Sequence, residues 1–558
     1  MNAAWLAVFV FALFALGYRF YSRFLAEKIF ALGADEPVPA RELEDGVDYV
    51  PTRASVLWGH HFTSIAGAAP IVGPAIAVIW GWLPALIWVA VGTVFMGAVH
   101  DFAALVISLR NRGRSIGEIA GGVIGPRART LFLLVISILI WIVLAVFAFI
   151  IGTLFHDNPG AIFPIWVQIA VAMALGWAVY KRGVALFAPS LVGYAMLLAA
   201  IFYGNAAAEA VPWLAEVSVA SWVWLLLLYS FVASVLPVWL LLQPRDYLNA
   251  HQLITGLALL FLGLVVAAPE VKAPAVQLAP AGAPPMIPFL FITIACGAIS
   301  GFHGLVSSGT TSKQVGCMTD ARPIGYGGML GEGLLGMLAV LCATAGFATV
   351  GEWQVHYSSW GAASGLGAKL DAFVSGGAFF VSSLGIPRET ARTFIAVMVI
   401  AFAATSLDTG ARIQRLIISE LAEQHGVPAL TNRFAAGALG IAAALLLAVT
   451  QAGGQGGLIL WPLFGTTNQL VAGLTLLIVS IWLQRQGRPV VYTLVPMIFV
   501  GVATVLSMLG EVQGYFADFG ERWLLAVLGS LILALDVWVI FEGVRLLRAG
   551  AASQRAAA

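Results

Sequence analysis

Apolar runs of about 20 residues recur along the whole chain, each long enough to cross a hydrocarbon core roughly 30 Å thick. Inside such a core, backbone polar groups must be satisfied within the segment, so each run reads as a membrane helix. Composition agrees. Of 558 residues 61% are hydrophobic and 10% charged, against about 25% charged in an average soluble domain. A net charge of +1 and the lack of a long basic run give no indication of nucleic-acid binding. The three cysteines, Cys296, Cys317 and Cys342, have no zinc spacing and no disulfide framework, and read as small hydrophobes.

The runs predict an all-α polytopic membrane protein of 15 spans, at 3–20, 58–80, 83–109, 129–155, 163–180, 187–205, 221–242, 250–268, 287–306, 325–350, 390–407, 434–451, 458–483, 490–510 and 522–544. The first lacks a basic leader and a small-residue cleavage site, so it reads as a retained helix and not a signal peptide. The glycine-rich stretch 366–385 reads as interfacial or re-entrant. Residues 408–433 begin with Ile/Leu and charges at helical spacing and read as a cytoplasmic surface segment. Residues 1–57 form an N-terminal helix and cytoplasmic segment, 58–407 the core, and 434–558 four accessory helices.

Alternating these spans from an external N-terminus leaves only Lys272, Lys369, Arg388, Arg392 and Arg522 outside, among 28 basic residues. The positive-inside rule therefore predicts an inner-membrane protein with the N-terminus out and the C-terminus in the cytoplasm.

Four places interrupt regular helix within spans: Gly59–Pro74, Pro237, Gly301–Thr311 and Trp461–Gln469. A lone proline reads as a kink. The first place is denser, with Gly67, Pro70, Gly73 and Pro74 within eight residues. It reads as an unwound binding segment of the kind found in secondary transporters. The candidate substrate-binding residues are Gly59, His60, His61, Ser64, Gly67, Pro70, Gly73 and Pro237. Spans 58–80 and 221–242 both carry proline and lie five spans apart. An odd repeat length inverts the second copy, so 58–205 and 221–407 are predicted as an inverted five-plus-five repeat.

Ionisable groups at membrane depth are costly and usually functional. Asp101 lies nine residues before Arg110, on the order of 13 Å inside the cytoplasmic edge. With Glu332, His303 and the His60/His61 pair it forms the candidate set for proton coupling. Ser307, Ser308, Thr310 and Thr311 offer hydroxyls that, with unwound carbonyls, suit a hard cation such as Na+; alternatively they bond their own helix. Asp408, followed by Arg412, reads as a local i,i+4 ion pair. Adjacent histidines point about 100° apart on a helix, so His60 and His61 are not expected to share a metal. No metal, no cofactor and no nucleotide-binding loop is expected.

Several longer motifs carry a resemblance. They are Asp45–Thr52 (DGVDYVPT), Gly59–Pro74, Leu236–Leu248 (LPVWLLLQPRDYL), Phe289–Thr311, Gly325–Leu330 (GYGGML), Leu407–Arg412 (LDTGAR) and Leu460–Leu470 (LWPLFGTTNQL). From about 45 to 483 the chain resembles the carbon-starvation protein A (CstA) family of bacterial transporters. The resemblance implies peptide uptake in nutrient limitation, or proton-coupled pyruvate uptake, and a distant likeness to LeuT-like transporters with an inverted five-plus-five repeat. The chain is compact over 351–390 and short at its C-terminus relative to longer members. A secondary transporter is the first reading. A membrane-embedded enzyme lacks support from HExxH or GxSxG, and a channel or sensor subunit lacks a sensing domain. Peptide and pyruvate both bring a carboxylate; only a peptide adds an amine.

Overall fold

The computed structural model describes residues 1–557. Every element is helical except two isolated bridges, Asn2–Glu270 and Thr52–Val315. Ten helices are long and apolar enough to cross a membrane, twelve when each of two bent pairs counts as one span. Of the long ones, α1 is Ala3–Ile29, and the first bent pair is α2 (Ala54–Ile65) with α3 (Ala69–Trp80), at 46° to one another. Then follow α4 (Trp82–Arg110), α5 (a short helix, Ile116–Val123), α6 (Pro126–Asp157), α7 (Pro159–Arg182) and α8 (Phe187–Phe202), which bends 58° into Gly204–Ala210. Next come α9 (Val219–Val235), α10 (Leu242–Ala267), α11 (Met286–Thr293), α12 (Gly301–Gly309), α13 (Met318–Ala345) and α14 (Leu366–Ser382). The last five are α15 (Arg388–His425), α16 (Arg433–Val449), α17 (Trp461–Arg485), α18 (Val491–Ala517) and α19 (Phe519–Ala549).

Successive helices alternate between two ends of the bundle. At one end the segment 269–285 threads between helix termini: Ala3 donates to the Pro269 carbonyl, Trp82 to Pro274, Gln277 to Trp80 and Lys272 to Thr344. At the other, basic end, Thr52 donates to Gln314, Val238 to Val47, and Arg485 reaches the Val123 carbonyl.

Two of the four expected interruptions take a different form. Pro237 lies in no span: α9 stops at Val235, Leu236 turns extended, and α10 starts at Leu242, eight residues before the expected boundary. Proline is tolerated in a first helical turn, where its missing N–H is unsatisfied anyway. That is why Pro244 sits early in α10 and Pro462 in the first turn of α17, which is helical throughout. With Pro237 outside the helices, the argument that each repeat opens on a proline-bearing span loses its second half.

The first interruption is present, between Ile65 and Ala69. The third lies one step earlier than expected: Gly301–Gly309 is helical, and the chain unwinds over 294–300. Neighbouring helices satisfy that stretch. Trp88 Nε1 donates to the Ile294 carbonyl (3.3 Å), Thr93 Oγ1 to Gly297 (3.2 Å) and Gln469 Nε2 to Ile299 (2.9 Å), while Asn468 Oδ1 accepts from the Phe302 N–H (2.9 Å). Non-helical backbone at membrane depth needs such cover.

Residues 408–425 are not a separate surface segment. They continue α15 without a break, and Asp408, Arg412 and Arg415 are buried. The helix α14 lies against α10, α13 and α15 near their ends opposite the basic one; a Cβ on Gly376 would meet the Cys342 carbonyl at 2.5 Å, and one on Gly263 the Phe380 carbonyl at 2.1 Å.

Close approach also holds the unwound stretch to α4. A π-turn, Thr93–Gly97, widens α4 there, and a Cβ on Gly97 would stand 2.2 Å from the Ala298 carbonyl. Gly97→Ala is therefore expected to cost about 1–3 kcal/mol, read as a clear fall in melting temperature in detergent. Gly122→Ala, where a Cβ meets nothing within 4 Å, is expected to leave it unchanged or raised.

Candidate functional site

The two interruptions face a set of ionisable side chains sealed from solvent. On α4, Asp101 has its carboxylate between two imidazoles: His100 Nδ1 is 2.8 Å from Oδ1, and His303 Nδ1 of α12 is 3.0 Å from Oδ2. The other nitrogen of His303 stands 3.0 Å from Oε2 of Glu332 on α13. All four groups are 0% exposed. Asp101, His303 and Glu332, picked separately from the sequence for coupling, are thus brought together.

Next to it lies a second buried set. On α2, His60 Nδ1 is 2.5 Å from Asp246 Oδ2 of α10. Arg245 clamps its neighbour Asp246 (2.9 Å) and also pairs with Asp408 of α15, which Tyr229 of α9 holds through its hydroxyl at 3.0 Å. Thr405 donates to Asp246 (3.1 Å) and accepts from Asn249 (2.7 Å). Asp408 is therefore not a local partner of Arg412. Their side chains part because each finds a closer counter-charge across the bundle: Arg245 for Asp408 and Asp48 for Arg412.

His60 and His61 join the two sets. While His60 meets Asp246, His61 turns toward the helices of the first set: its Nδ1 lies 3.0 Å from Thr311 Oγ1, and its ring packs on Gly328 of α13. The Nε2 atoms of His60, His61 and His100 and Oε1 of Glu332 are buried without a hydrogen-bond partner. Such atoms are costly unless water, a proton or a solute visits them.

The remaining sequence candidates fall in different places. Ser64 Oγ is 3.1 Å from Thr409 Oγ1, and Ser406 donates to the Ser64 carbonyl (2.8 Å), so three hydroxyls converge beside the first interruption. Gly67 lies against Ser406, Gly59 against Ala250, and Gly73 against the Thr293 carbonyl, where a Cβ would come within 2.3 Å. Pro70 opens α3. Ser308 donates to the Gly304 carbonyl (2.7 Å) and accepts from the Ile116 N–H, and Thr310 donates to Val306 (3.2 Å), so both bond backbone. Ser307 is buried with no partner. Pro237 lies in the turn between α9 and α10, where its carbonyl accepts from the Leu240 N–H (3.1 Å).

Arg245, Asp246, Tyr229, Asn249 and Thr405 were not picked out from the sequence. The signal was present: Arg245-Asp246 stands within LPVWLLLQPRDYL. A helix boundary drawn at 250 put that pair in a loop.

From the end opposite the basic one, a cavity of about 490 Å³ descends between α3, α11, α17 and α18. Ala69, Gly73 and Thr293 line it, so it touches both interrupted spans, and Cys296 lines it too. Cys296 is linked through Ser300 (3.4 Å) to Asn468 (3.1 Å). Ion pairs tie the basic end together. Asp48, in the segment between α1 and α2, pairs with Arg412 (2.5 Å) and Arg415 (2.7 Å), and Thr52 bridges to Val315.

This arrangement of broken helices around buried charge suits solute translocation, and the comparisons are consistent with it. The profile described as "Carbon starvation protein CstA" matches residues 2–350 and 353–507. The chain belongs to the CstA family. Curated relatives include the peptide transporter CstA of Campylobacter jejuni, 34% identical over 92% of this chain and 81% of that protein. The peptide transporter CstA of Bacillus subtilis is 32% identical over 98% and 97%. The pyruvate/proton symporter BtsT of Escherichia coli is 32% identical over 91% and 81%. Among solved structures, a manganese transporter of Eremococcus coleocola superposes with a TM-score of 0.52 at 13% identity, covering 90% of this chain and 99% of that one. At that identity the likeness concerns fold alone.

Burial would raise the Asp48 carboxyl, but Arg412, Arg415 and Lys313 outweigh it and hold the group well below the usual carboxylate range. A depressed pKa contributes stability that is fully present above the unfolded value, about 4, and is lost as pH falls from there through the lower folded value. Thermal melts in detergent are therefore expected to be insensitive to this group from pH 6 to 8 and to drop below pH 4. Asp48→Asn, which strands two buried guanidinium groups, is expected to lose about 3–5 kcal/mol at neutral pH and to lack that acid-side step.

Proposed function

We propose that this CstA-family protein is a secondary active transporter that imports a small carboxylate-bearing solute, a peptide or pyruvate, across the bacterial inner membrane by proton symport during nutrient limitation. One observation carries the reading: two neighbouring sets of titratable side chains buried among helices that adjoin two interrupted spans. A carboxylate between two imidazoles can accept and pass on a proton without leaving a net charge stranded in a dry interior. Asp101 is the central acceptor in this scheme, His303 and Glu332 relay from it, and His61 with His60 communicates its state to Asp246 and Arg245.

The basic end is assigned to the cytoplasm, because all but five of the 28 basic residues fall on that side. This puts the N-terminus outside, the C-terminus inside and the 490 Å³ cavity open to the exterior. Fifteen crossings follow when the two bent pairs, the shorter helices α9 and α16 and the broken span α11–α12 all traverse the bilayer. An inverted repeat is the organisation proposed for the core over 58–407, from two five-span blocks of odd length; the broken span α11–α12 is third in its block, so it is not the counterpart of the bent pair α2–α3 that opens the first. The hydroxyls of Ser64, Ser406 and Thr409 beside the first break favour a second reading, in which Na+ is the coupling ion.

Purified protein in proteoliposomes tests this. A pH jump that makes the outside acid relative to the lumen is expected to drive accumulation of labelled dipeptide or pyruvate, and an imposed Na+ gradient without a pH gradient to drive none. Asp101→Asn is expected to insert normally, to keep solute exchange at equal pH, and to lose pH-driven accumulation. Unchanged pH-driven accumulation in that variant removes Asp101 from coupling.

A further inference from the structure

The outer cavity brings an acidic and a basic side chain to its own wall, apart from the buried charged sets. Glu511 of α18 and Lys369 of α14 both line it, on helices from separate parts of the fold. Glu511 is held in place by Thr466 of α17, whose hydroxyl donates to Oε2 at 3.1 Å, which leaves Oε1 available. The Lys369 ammonium makes no hydrogen bond or ion pair among the described residues, whereas Arg522, also on the wall, is engaged by Asp518 at 3.4 Å. Tyr515, one turn beyond Glu511, is 5% exposed, and its hydroxyl is buried without a partner. On the same wall Trp461 and Phe464 stack at 4.6 Å.

A single negative solute such as pyruvate gives Glu511 nothing to pair with and repels it. Ligand pockets of about 300–1,000 Å³ enclose drug-sized molecules, and this cavity lies within that range, much larger than a three-carbon acid requires. A free lysine ammonium, a positioned glutamate and an unsatisfied phenol around a partly apolar space match a short zwitterion with side chains.

We propose that Glu511 and Lys369 form an external recognition subsite for free peptides, Glu511 taking the terminal ammonium and Lys369 the terminal carboxylate before the solute descends past Cys296. Thr466 is a positioning residue that aims Glu511. The inference rests on the transporter reading and names which solutes that transporter selects. Stacked Trp461 and Phe464 supply an apolar surface for the peptide's side chains, which makes recognition tolerant of sequence.

Equilibrium binding of labelled alanyl-alanine to the purified full-length protein in detergent tests the subsite apart from transport. Wild type is expected to bind alanyl-alanine and to bind its N-acetylated form far more weakly. Glu511→Gln keeps the Thr466 bond and the side-chain shape. It is expected to weaken alanyl-alanine binding about tenfold or more, the loss of one hydrogen bond to a charged group, and to leave N-acetyl-alanyl-alanine unchanged. Lys369→Gln is expected to do the reverse, abolishing the preference for the free acid over the C-terminal amide. Glu511→Asp is expected to restore part of the affinity. Alanyl-alanine binding that is absent in wild type, or equal in wild type and Glu511→Gln, overturns the subsite. Intact, Glu511-dependent binding with no uptake in proteoliposomes under either a pH or a Na+ gradient supports the subsite and overturns the transporter reading instead.

Discussion

A protein with few ways to reach water must satisfy its polar atoms from within, and that constraint organises this molecule. The unwound stretch 294–300 exists because Trp88, Thr93, Asn468 and Gln469 supply the bonds the helix has given up. Each of these donors and acceptors comes from another helix, α4 or α17. The break is therefore a property of the assembled bundle and not of its own segment. The same holds for charge. Asp101, Asp246 and Asp408 each lie between partners from at least one other helix, and no buried carboxylate of the three relies on a sequence neighbour alone.

Burial of so many ionisable groups is a poor source of stability, since desolvation consumes most of what pairing returns. The arrangement is better understood through what it permits. Several nitrogen and oxygen atoms in the two sets are unpaired, so a proton or a solute group that reaches them is bound without displacing an existing bond. The two ends of the bundle are not equivalent: a cavity that touches both interrupted spans enters from one, and ion pairs of Asp48 tie the other.

Much of this was legible in the primary structure. Apolar run length located the ten long membrane-crossing helices and the two bent pairs. Asp101, His303 and Glu332 stood out because charge in an apolar run is conspicuous. What escaped was set by context that a linear reading lacks. Pro237, Pro244 and Pro462 look alike in sequence, yet one ends up in a turn and two in first turns. The stretch 294–300 contains no proline and only Gly297, so nothing local announces that it unwinds; its cause lies some 200 residues away in Trp88 and Thr93. Arg245 and Asp246 were overlooked for a similar reason, because charged residues at a presumed loop appear unremarkable until the helix is seen to begin before them. Asp408 and Arg412 have ideal spacing for each other, and only tertiary competition from Arg245 and Asp48 separates them.

The juxtaposition of His60 and His61 has a further consequence. The two imidazoles share one turn of α2 but belong to different electrostatic neighbourhoods, so any roll or tilt of that helix displaces both by a correlated amount. Whatever perturbs one neighbourhood is transmitted to the other by covalent bonds, with no lever arm and no intervening loop to absorb the strain. α2 ends at the first break, where the chain bends 46° into α3. One short helix thus carries a side chain into each of the two neighbourhoods.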